Sequence, residues 1–296
     1  MAKLLLGRDV TDAMNRRLAG RAAALRERGV EPTLAILRCG ANPGDLSYER
    51  GAVKRAELVG VKVESWVFPE DVTEQALLDA IDRLNADEKV HGVLLLRPLP
   101  AHLRARSREI CGRLAPRKDV DGMTDTSIAG VFGGRRAGGF PPCTPAACME
   151  ILDHYGISCR GKSAVVIGRS LVVGRPAAIM LMNRDATVTV CHTKTPNIPE
   201  ICRRADIVIS AAGALGSLTG EFVRPGQVVL DVSVNFDPLR PNARGGLGAI
   251  AGDAVFEQVE PVVAAITPVP GGVGGVTASV LMKHVLEAAE DCVRED

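Results

Sequence analysis

The stretch SAVVIGRSLVVGRPAAIMLMNR (163–184) decides how the rest of this 296-residue chain is read. It places a strand (163–168), a glycine turn and a helix (173–184) in immediate succession. Gly168 takes a tight turn without a Cβ clash, and Gly174 lets backbone come close to a ligand at the helix start. A helix N-terminus offers unpaired N–H groups and the positive end of its dipole, which suits a diphosphate. The spacing is not G-x-G-x-x-G, so the same residues also serve a tight βα turn that holds nothing.

The next strand, ATVTVC (186–191), runs into His192-Thr193-Lys194-Thr195. Where a dinucleotide fold binds NAD, an acid about 20 residues on holds the ribose hydroxyls. No Asp or Glu stands there. Arg169 and Lys194 bring positive charge and Thr193 a hydroxyl, a set that favours a 2′-phosphate and therefore NADP. Taken singly, Lys194 also reads as a solvated loop lysine and His192 as a structural histidine.

Outward from this unit the alternation continues, with strands at ADIVISAAG (205–213) and QVVLDVSVN (227–235) and a final helix over roughly 277–293. Towards the N-terminus lie a helix (10–29), a strand TLAILRC (33–39), a helix (46–60) closed by Gly60 and a strand (61–68). A helix over 73–87 with Thr73 as N-cap and the apolar run VHGVLLL (90–96) follow. The Gly/Pro-rich zone GVFGGRRAGGFPPCTP (130–145) separates the two series, and Pro145 begins a helix. Strands alternating with helices in two series predict an α/β protein of two domains around a cleft, the second of them Rossmann-like.

Composition narrows the classes. The chain is 46% apolar and 24% charged with net charge +1, so it carries no basic field for nucleic acid or membrane. No apolar run reaches the roughly 18 residues of a membrane span, and MAKLLLGRDV is too short in its apolar part for a secretory leader. Eight cysteines without a C-x-x-C pair read as free thiols of a reducing cytoplasm, and no metal site is expected.

Together, KDVDG (118–122), PPCTP (141–145), GKSAVVIGRSLVVGRP (161–176), ATVTVCHTKT (186–195), ADIVISAAG (205–213), VLDVSVN (229–235), Gly252-Asp253 and ITPVPGGVG (266–274) resemble the bifunctional methylenetetrahydrofolate dehydrogenase/cyclohydrolase family. The resemblance spans nearly the whole chain in the family's order. It implies a folate-binding domain (1–140 plus 276–296), a Rossmann-like NADP-binding domain (141–275) and a homodimer. Position by position it implies that Gly168, Arg169, Ser170, Gly174, His192, Thr193, Val234 and Thr277 meet the cofactor. Likewise Tyr48 stacks on a tetrahydrofolate derivative, Asp121 hydrogen-bonds its pterin, and Pro270, Gly271 and Gly272 form a turn beside it. On its own, Asp121 also reads as an ordinary turn residue.

The chain departs from the family where hydrolysis is concerned. The family's Tyr-x-x-x-Lys puts phenol and ammonium about 40° apart around a helix; here Tyr48 is followed at i+4 by Ala52. Lys54 lies about 240° round, and Arg55 shares the face but roughly 10 Å along the axis. The intervals Pro43–Tyr48 and Ala52–Gly60 match the family's, so no gap restores the lysine. Leu96 replaces the family's glutamine, with Arg97 next, and Gly274–Thr277 read GGVT in place of G-P-M-T. Hydrolysis needs a proton acceptor and donor, whereas hydride transfer mainly needs alignment and exclusion of water. The expectation is an NADP-dependent oxidation of 5,10-methylenetetrahydrofolate to the methenyl form with cyclohydrolase activity weak or lost. The alternatives are a fully bifunctional enzyme, or a non-catalytic or altered-substrate folate-binding paralogue.

Overall fold

Why the chain alternates as it does is visible in a computed structural model, which describes residues 1–134, 139–241 and 246–294. The first stretch runs β1 Lys3–Leu4, α1 Gly7–Glu27, β2 Thr33–Cys39, α2 Pro43–Val59, β3 Lys62–Phe68, α3 Glu74–Ala86 and β4 Gly92–Leu95. Short helices α4 Ser107–Gly112 and α5 Asp125–Phe132 follow. Next come α6 Cys143–His154, β5 Ser163–Ile167, α7 Gly174–Met182, β6 Thr187–Cys191, α8 Ile198–Arg203, β7 Ile207–Ser210 and β8 Val228–Asp231. The chain ends with β9 Asn235–Pro241, β10 Leu247–Ala251, α9 Phe256–Val259, β11 Ala265–Ile266 and α10 Val273–Arg294. Of the Gly/Pro-rich zone expected to separate the halves, residues 135–138 lie outside the described residues.

Two compact units are present, one of residues 12–143 with 278–296, the other of residues 1–11 with 144–277. The first holds a parallel sheet in the order β3-β2-β4. Its central strand keeps Leu34, Ala35, Ile36 and Leu37 wholly buried, which accounts for the unbroken apolar run of a strand covered on both faces. Helix α2 starts at Pro43, earlier than the sequence pattern indicated, because Asn42 Oδ1 accepts the Gly44 N–H and proline fits the first helical position. Gly60 closes it in the left-handed conformation, as expected. Thr73 caps α3 through its side chain, also as expected.

The second unit carries a six-stranded, all-parallel sheet in the order β1-β11-β8-β7-β5-β6. The first residues belong here rather than with the first unit, because Lys3 and Leu4 pair with Ala265 and Ile266 of β11. The run 227–235 is not one strand. The β8 ladder stops at Asp231, and Asn235–Pro241 and Leu247–Ala251 pair antiparallel as β9 and β10. That pairing escaped the sequence reading because Pro238 and Pro241 remove ladder donors and disguise a strand as a loop. All eight cysteines are free thiols.

Candidate functional site

In the first unit, the carboxyl ends of β2 and β4 face the same way, since both strands run parallel. The chain leaving β2 turns into α2, and the chain leaving β4 continues through Leu96 and Arg97. Leu96 extends the ladder by one bond, its N–H donating to Leu37 O at 2.9 Å. At this end lies a cavity of about 410 Å³ walled by Asp45, Tyr48, Leu96, Arg97 and Asp121 among others. The sequence-derived pair Tyr48 and Asp121 therefore meets at one pocket, with Leu96 in the same wall.

Each wall residue is held by neighbours. Arg38 and Glu49 form a mostly buried ion pair at 2.7 Å, and Glu49 also accepts the Ser65 hydroxyl at 3.1 Å. These bonds fix the turn of α2 that carries Tyr48. In KDVDG only Asp121 is turned to the pocket. Buried Lys118 donates to Leu84 O and Asp87 O, and buried Asp119 accepts the N–H groups of Met123 at 3.1 Å and Thr124 at 2.8 Å. Val120 O accepts from Cys143 Sγ at 3.3 Å and pairs with His284 Nδ1 at 2.8 Å. The motif's other polar residues are thus scaffold, a role the sequence alone did not distinguish.

The two departures are both apolar and both buried. Ala52 is 2% exposed and Leu96 5% exposed. Ala52 follows Tyr48 by one helical turn, but its methyl group is not part of the cavity wall. Lys54 is exposed and Arg55 half-buried, and neither lines the cavity. Among the described residues, Arg97 is the only cationic side chain that does. Its Nη2 stands 3.6 Å from Asp121 Oδ2.

Burial pushes the Asp121 carboxyl up to about 6; Arg97 and the Cys143 thiol oppose that rise and Asp119 adds to it. The Tyr48 phenol is also held above its ordinary value, by burial first and then by Asp121 and Cys143. Tyr48 as a residue is still 39% exposed. An unshifted phenol near 10 would equally be protonated at neutral pH, so Tyr48 is a hydrogen-bond donor on either view. For Asp121 the sign matters. The folded chain keeps this proton between about pH 4 and 6, where an unfolded chain releases it, so the stabilisation belongs to the acid side and is lost as pH rises through 6. Anchoring of ring N–H groups has the opposite demand, since only the carboxylate accepts two. A ligand that offers two ring N–H donors to Asp121 should therefore show a KM that rises about tenfold per pH unit below about 6, and Asp121→Asn should flatten that slope. Initial rates from pH 5 to 8 for both proteins test this.

In the second unit the strand order reverses beside β5, with β6 on one side and β7 on the other. Crevices at the carboxyl ends of strands at such a reversal are where doubly wound sheets bind nucleotides. Gly168 and Ala211 sit there. Gly168 has φ +115, and a Cβ on it would lie 2.2 Å from Ala211 O. A Cβ on Gly174 would lie 2.2 Å from Gly168 O. Both glycines are required by close backbone approach, and the cradle they leave fits a diphosphate. Ser170 Oγ accepts the N–H groups of Val173 at 3.1 Å and Gly174 at 3.4 Å, shaping the approach to α7. Arg169 is exposed beside it.

The loop after β6 is clasped by its own bonds. His192 N–H donates to Thr195 Oγ1, Thr195 N–H to His192 O, and Lys194 N–H to His192 Nδ1. Thr193 and Lys194 project from it, exposed. Val234, 64% exposed, leaves the same end of the sheet after β8. Pro270, Gly271 and Gly272 lie in the turn between β11 and α10, where Gly271 O accepts the Gly7 N–H at 2.8 Å. Thr277 is in the first turns of α10, its hydroxyl donating to Gly274 O at 2.9 Å. These residues belong to the second unit.

A residue without an assigned role in the sequence analysis, the acid of Gly252-Asp253, organises this crevice. Asp253 is wholly buried. Its Oδ2 accepts from Ser210 Oγ, Ala212 N–H and Ser233 Oγ at 2.9, 2.8 and 2.7 Å. Its Oδ1 accepts from Ala214 N–H at 2.9 Å and Asn235 Nδ2 at 3.1 Å. One carboxylate thus ties together the loops that follow β7 and β8. No metal-ligating cluster occurs among the described residues, and no helix of theirs is long and apolar enough to cross a membrane.

Comparison with known proteins finds a match for each of the two parts of the chain. Residues 5–121 match the catalytic domain of tetrahydrofolate dehydrogenase/cyclohydrolase, and residues 142–293 its NAD(P)-binding domain. The chain is 47% identical over 290 residues to a bifunctional protein FolD of Carboxydothermus hydrogenoformans, covering 98% of each. Among solved structures, the Trypanosoma brucei methylenetetrahydrofolate dehydrogenase-cyclohydrolase complexed with NADP and inhibitor is 36% identical with a TM-score of 0.91, covering 99% of each chain. The bifunctional enzyme from Campylobacter jejuni is also 36% identical, with a TM-score of 0.90 over 98% of this chain and 99% of that one.

Proposed function

The chain belongs to the tetrahydrofolate dehydrogenase/cyclohydrolase family, and within it we propose an NADP-dependent oxidation of 5,10-methylenetetrahydrofolate to 5,10-methenyltetrahydrofolate, with the hydrolytic step weak or lost. The dehydrogenase half rests on the family and on the crevice built by Gly168, Gly174 and Asp253. The loss of hydrolysis rests on one observation: the positions of the family's lysine and glutamine hold buried Ala52 and Leu96.

The proposed chemistry divides the residues accordingly. Tyr48 lies flat against the folate and offers a phenolic proton. Asp121 accepts from the pterin ring and fixes its orientation. Leu94, Leu95 and Leu96 supply apolar wall that excludes water. The substrate's own nitrogen lone pair drives hydride departure, so no protein base is required. NADP, when bound, supplies the hydride acceptor. Gly168, Arg169, Ser170 and Gly174 would hold its diphosphate, and Thr193 with Lys194 its 2′-phosphate. His192 shapes that loop through Nδ1. Val234 and Thr277 are proposed at the cofactor and Pro270–Gly272 at the folate. A homodimer and a cytoplasmic location are proposed on the family's pattern and the free thiols.

The deciding assay is paired. Purified protein with methylenetetrahydrofolate and NADP should accumulate methenyl product in step with NADPH. The same protein given methenyltetrahydrofolate should hydrolyse it little faster than buffer does. No NADPH would refute the dehydrogenase reading, and brisk hydrolysis would refute the loss. One observation favours the fully bifunctional alternative. A carboxyl titrating near 6 inside the pocket is suited to move a proton.

A further inference from the structure

Among the described residues Arg97 is the cation that lines the pocket, next to Leu96 at the position of the family's glutamine. It leaves β4 on the ladder-bonded Leu96, so its backbone is fixed by the sheet. Its guanidinium lies 3.6 Å from Asp121 Oδ2, with side-chain exposures of 32% and 19% for the pair. That is longer than an ordinary N–H···O bond, so the contact is ionic and leaves guanidinium donors to spare. The pair therefore presents, side by side, an acceptor carboxylate and a row of donors at the inner wall of the cavity.

That arrangement has a matching ligand edge. A 2-amino-4-oxo pteridine shows two donors, the exocyclic amine and the ring N–H, and next to them one acceptor, the 4-oxo oxygen. It is the same edge guanine shows, and carboxylates and guanidinium groups pair with such patterns side by side. We propose that Arg97 and Asp121 read this edge together, Asp121 accepting from the two donors and Arg97 donating to the 4-oxo oxygen, which makes Arg97 a specificity-determining residue. The inference rests on the folate reading of the pocket. Arg97 also offsets the Asp121 charge, which leaves Asp45 as the second carboxylate of the wall. The apolar walls of Leu94, Leu95 and Leu96 sharpen the discrimination, because an unpaired donor there has little water to turn to.

The test uses folic acid and its 4-amino-4-deoxy counterpart, which replaces the 4-oxo acceptor by an amino donor and the adjacent ring N–H by a bare ring nitrogen. Both are titrated against the full-length wild type, Arg97→Leu and Arg97→Lys, with melting temperatures recorded in parallel. Wild type should prefer the 4-oxo ligand. Arg97→Leu should weaken that ligand roughly tenfold to a hundredfold, the worth of one hydrogen bond to a charged group. It should leave the 4-amino ligand unchanged or bound more tightly, since a donor no longer faces a donor. Arg97→Lys should recover part of the preference. Parallel weakening of both ligands, or an unchanged ratio, would overturn the role of Arg97 while leaving the folate site standing. Failure of wild type to bind either ligand would overturn the folate reading and this inference with it.

Discussion

Ala52→Lys is expected to raise hydrolysis of 5,10-methenyltetrahydrofolate by about 10²–10⁴-fold, the usual worth of a positioned general acid–base group, with dehydrogenase turnover changed far less. The cause is local. Residue 52 lies one turn from Tyr48 on α2, so a lysine there shares the phenol's face. The alanine methyl is not part of the cavity wall, whereas a lysine's four-carbon stem extends well beyond a methyl. Burial at this position lowers a lysine's pKa, which favours the neutral amine that a proton acceptor needs. Asp121 and Tyr48 would flank it, and Arg97 would lower its pKa further. Position 52 is buried, so overpacking is the chief risk, about 1–3 kcal/mol in a well-filled site. Ala52→Met therefore serves as the control, with similar length and no charge. Hydrolysis recovered by lysine and not by methionine assigns the effect to the amine. If lysine alone recovers little, Ala52→Lys with Leu96→Gln tests whether the amide is needed to hold the amine in place. A folded double variant that still does not hydrolyse would show that the loss has another cause.

The sequence made these positions legible because helical spacing is rigid. Four residues after an aromatic is the same face in any α-helix, so once the family resemblance supplies the expected lysine, its absence can be read without coordinates. The strand–glycine–helix unit at 163–184 was legible for a similar reason. Gly168 and Gly174 are demanded by backbone contacts that no other residue tolerates. Other features were hidden because they depend on long-range pairing. Residues 3–4 carry too few side chains to announce a strand, and only β11, about 260 residues on, makes them one. Lys118 and Asp119 look as functional as Asp121 in KDVDG until their partners at Leu84, Asp87, Met123 and Thr124 are seen. The proximity of Arg97 to Asp121 likewise appears only when β4 and the loop before α5 are placed in space.

Asp253→Asn is expected to raise the KM for NADP at least tenfold while the KM for the folate substrate changes little. The Asp253 carboxylate accepts from five donors and none of its five described bonds has the carboxylate donating. An amide in its place turns an NH₂ either towards the Ala214 N–H and Asn235 or towards the Ala212 N–H and two serine hydroxyls. The hydroxyls can rotate, but the backbone N–H groups cannot, so at least one buried donor is orphaned at a cost of about 1–3 kcal/mol. The loops released are 211–214 and 233–235, at the carboxyl ends of β7 and β8. The first of these contacts the Gly168 turn through Ala211 O. Asp253→Ala removes all five bonds and should lower the melting temperature enough to reduce soluble yield. The asparagine variant is the informative one for that reason. A melting temperature within a few degrees of wild type together with a selective NADP defect would make Asp253 a positioning residue. Equal losses in both KM values, tracking a large fall in melting temperature, would reduce it to fold stability alone. The neighbouring Asp231 supplies the comparison, since its carboxylate accepts chiefly from the Asp253 and Ala254 N–H groups and so supports Asp253 from behind. Its carboxyl is pushed up to about 6 by burial. Asp231→Asn should therefore disturb NADP binding in the same direction but less, because its effect must pass through the Asp253 backbone to reach the crevice.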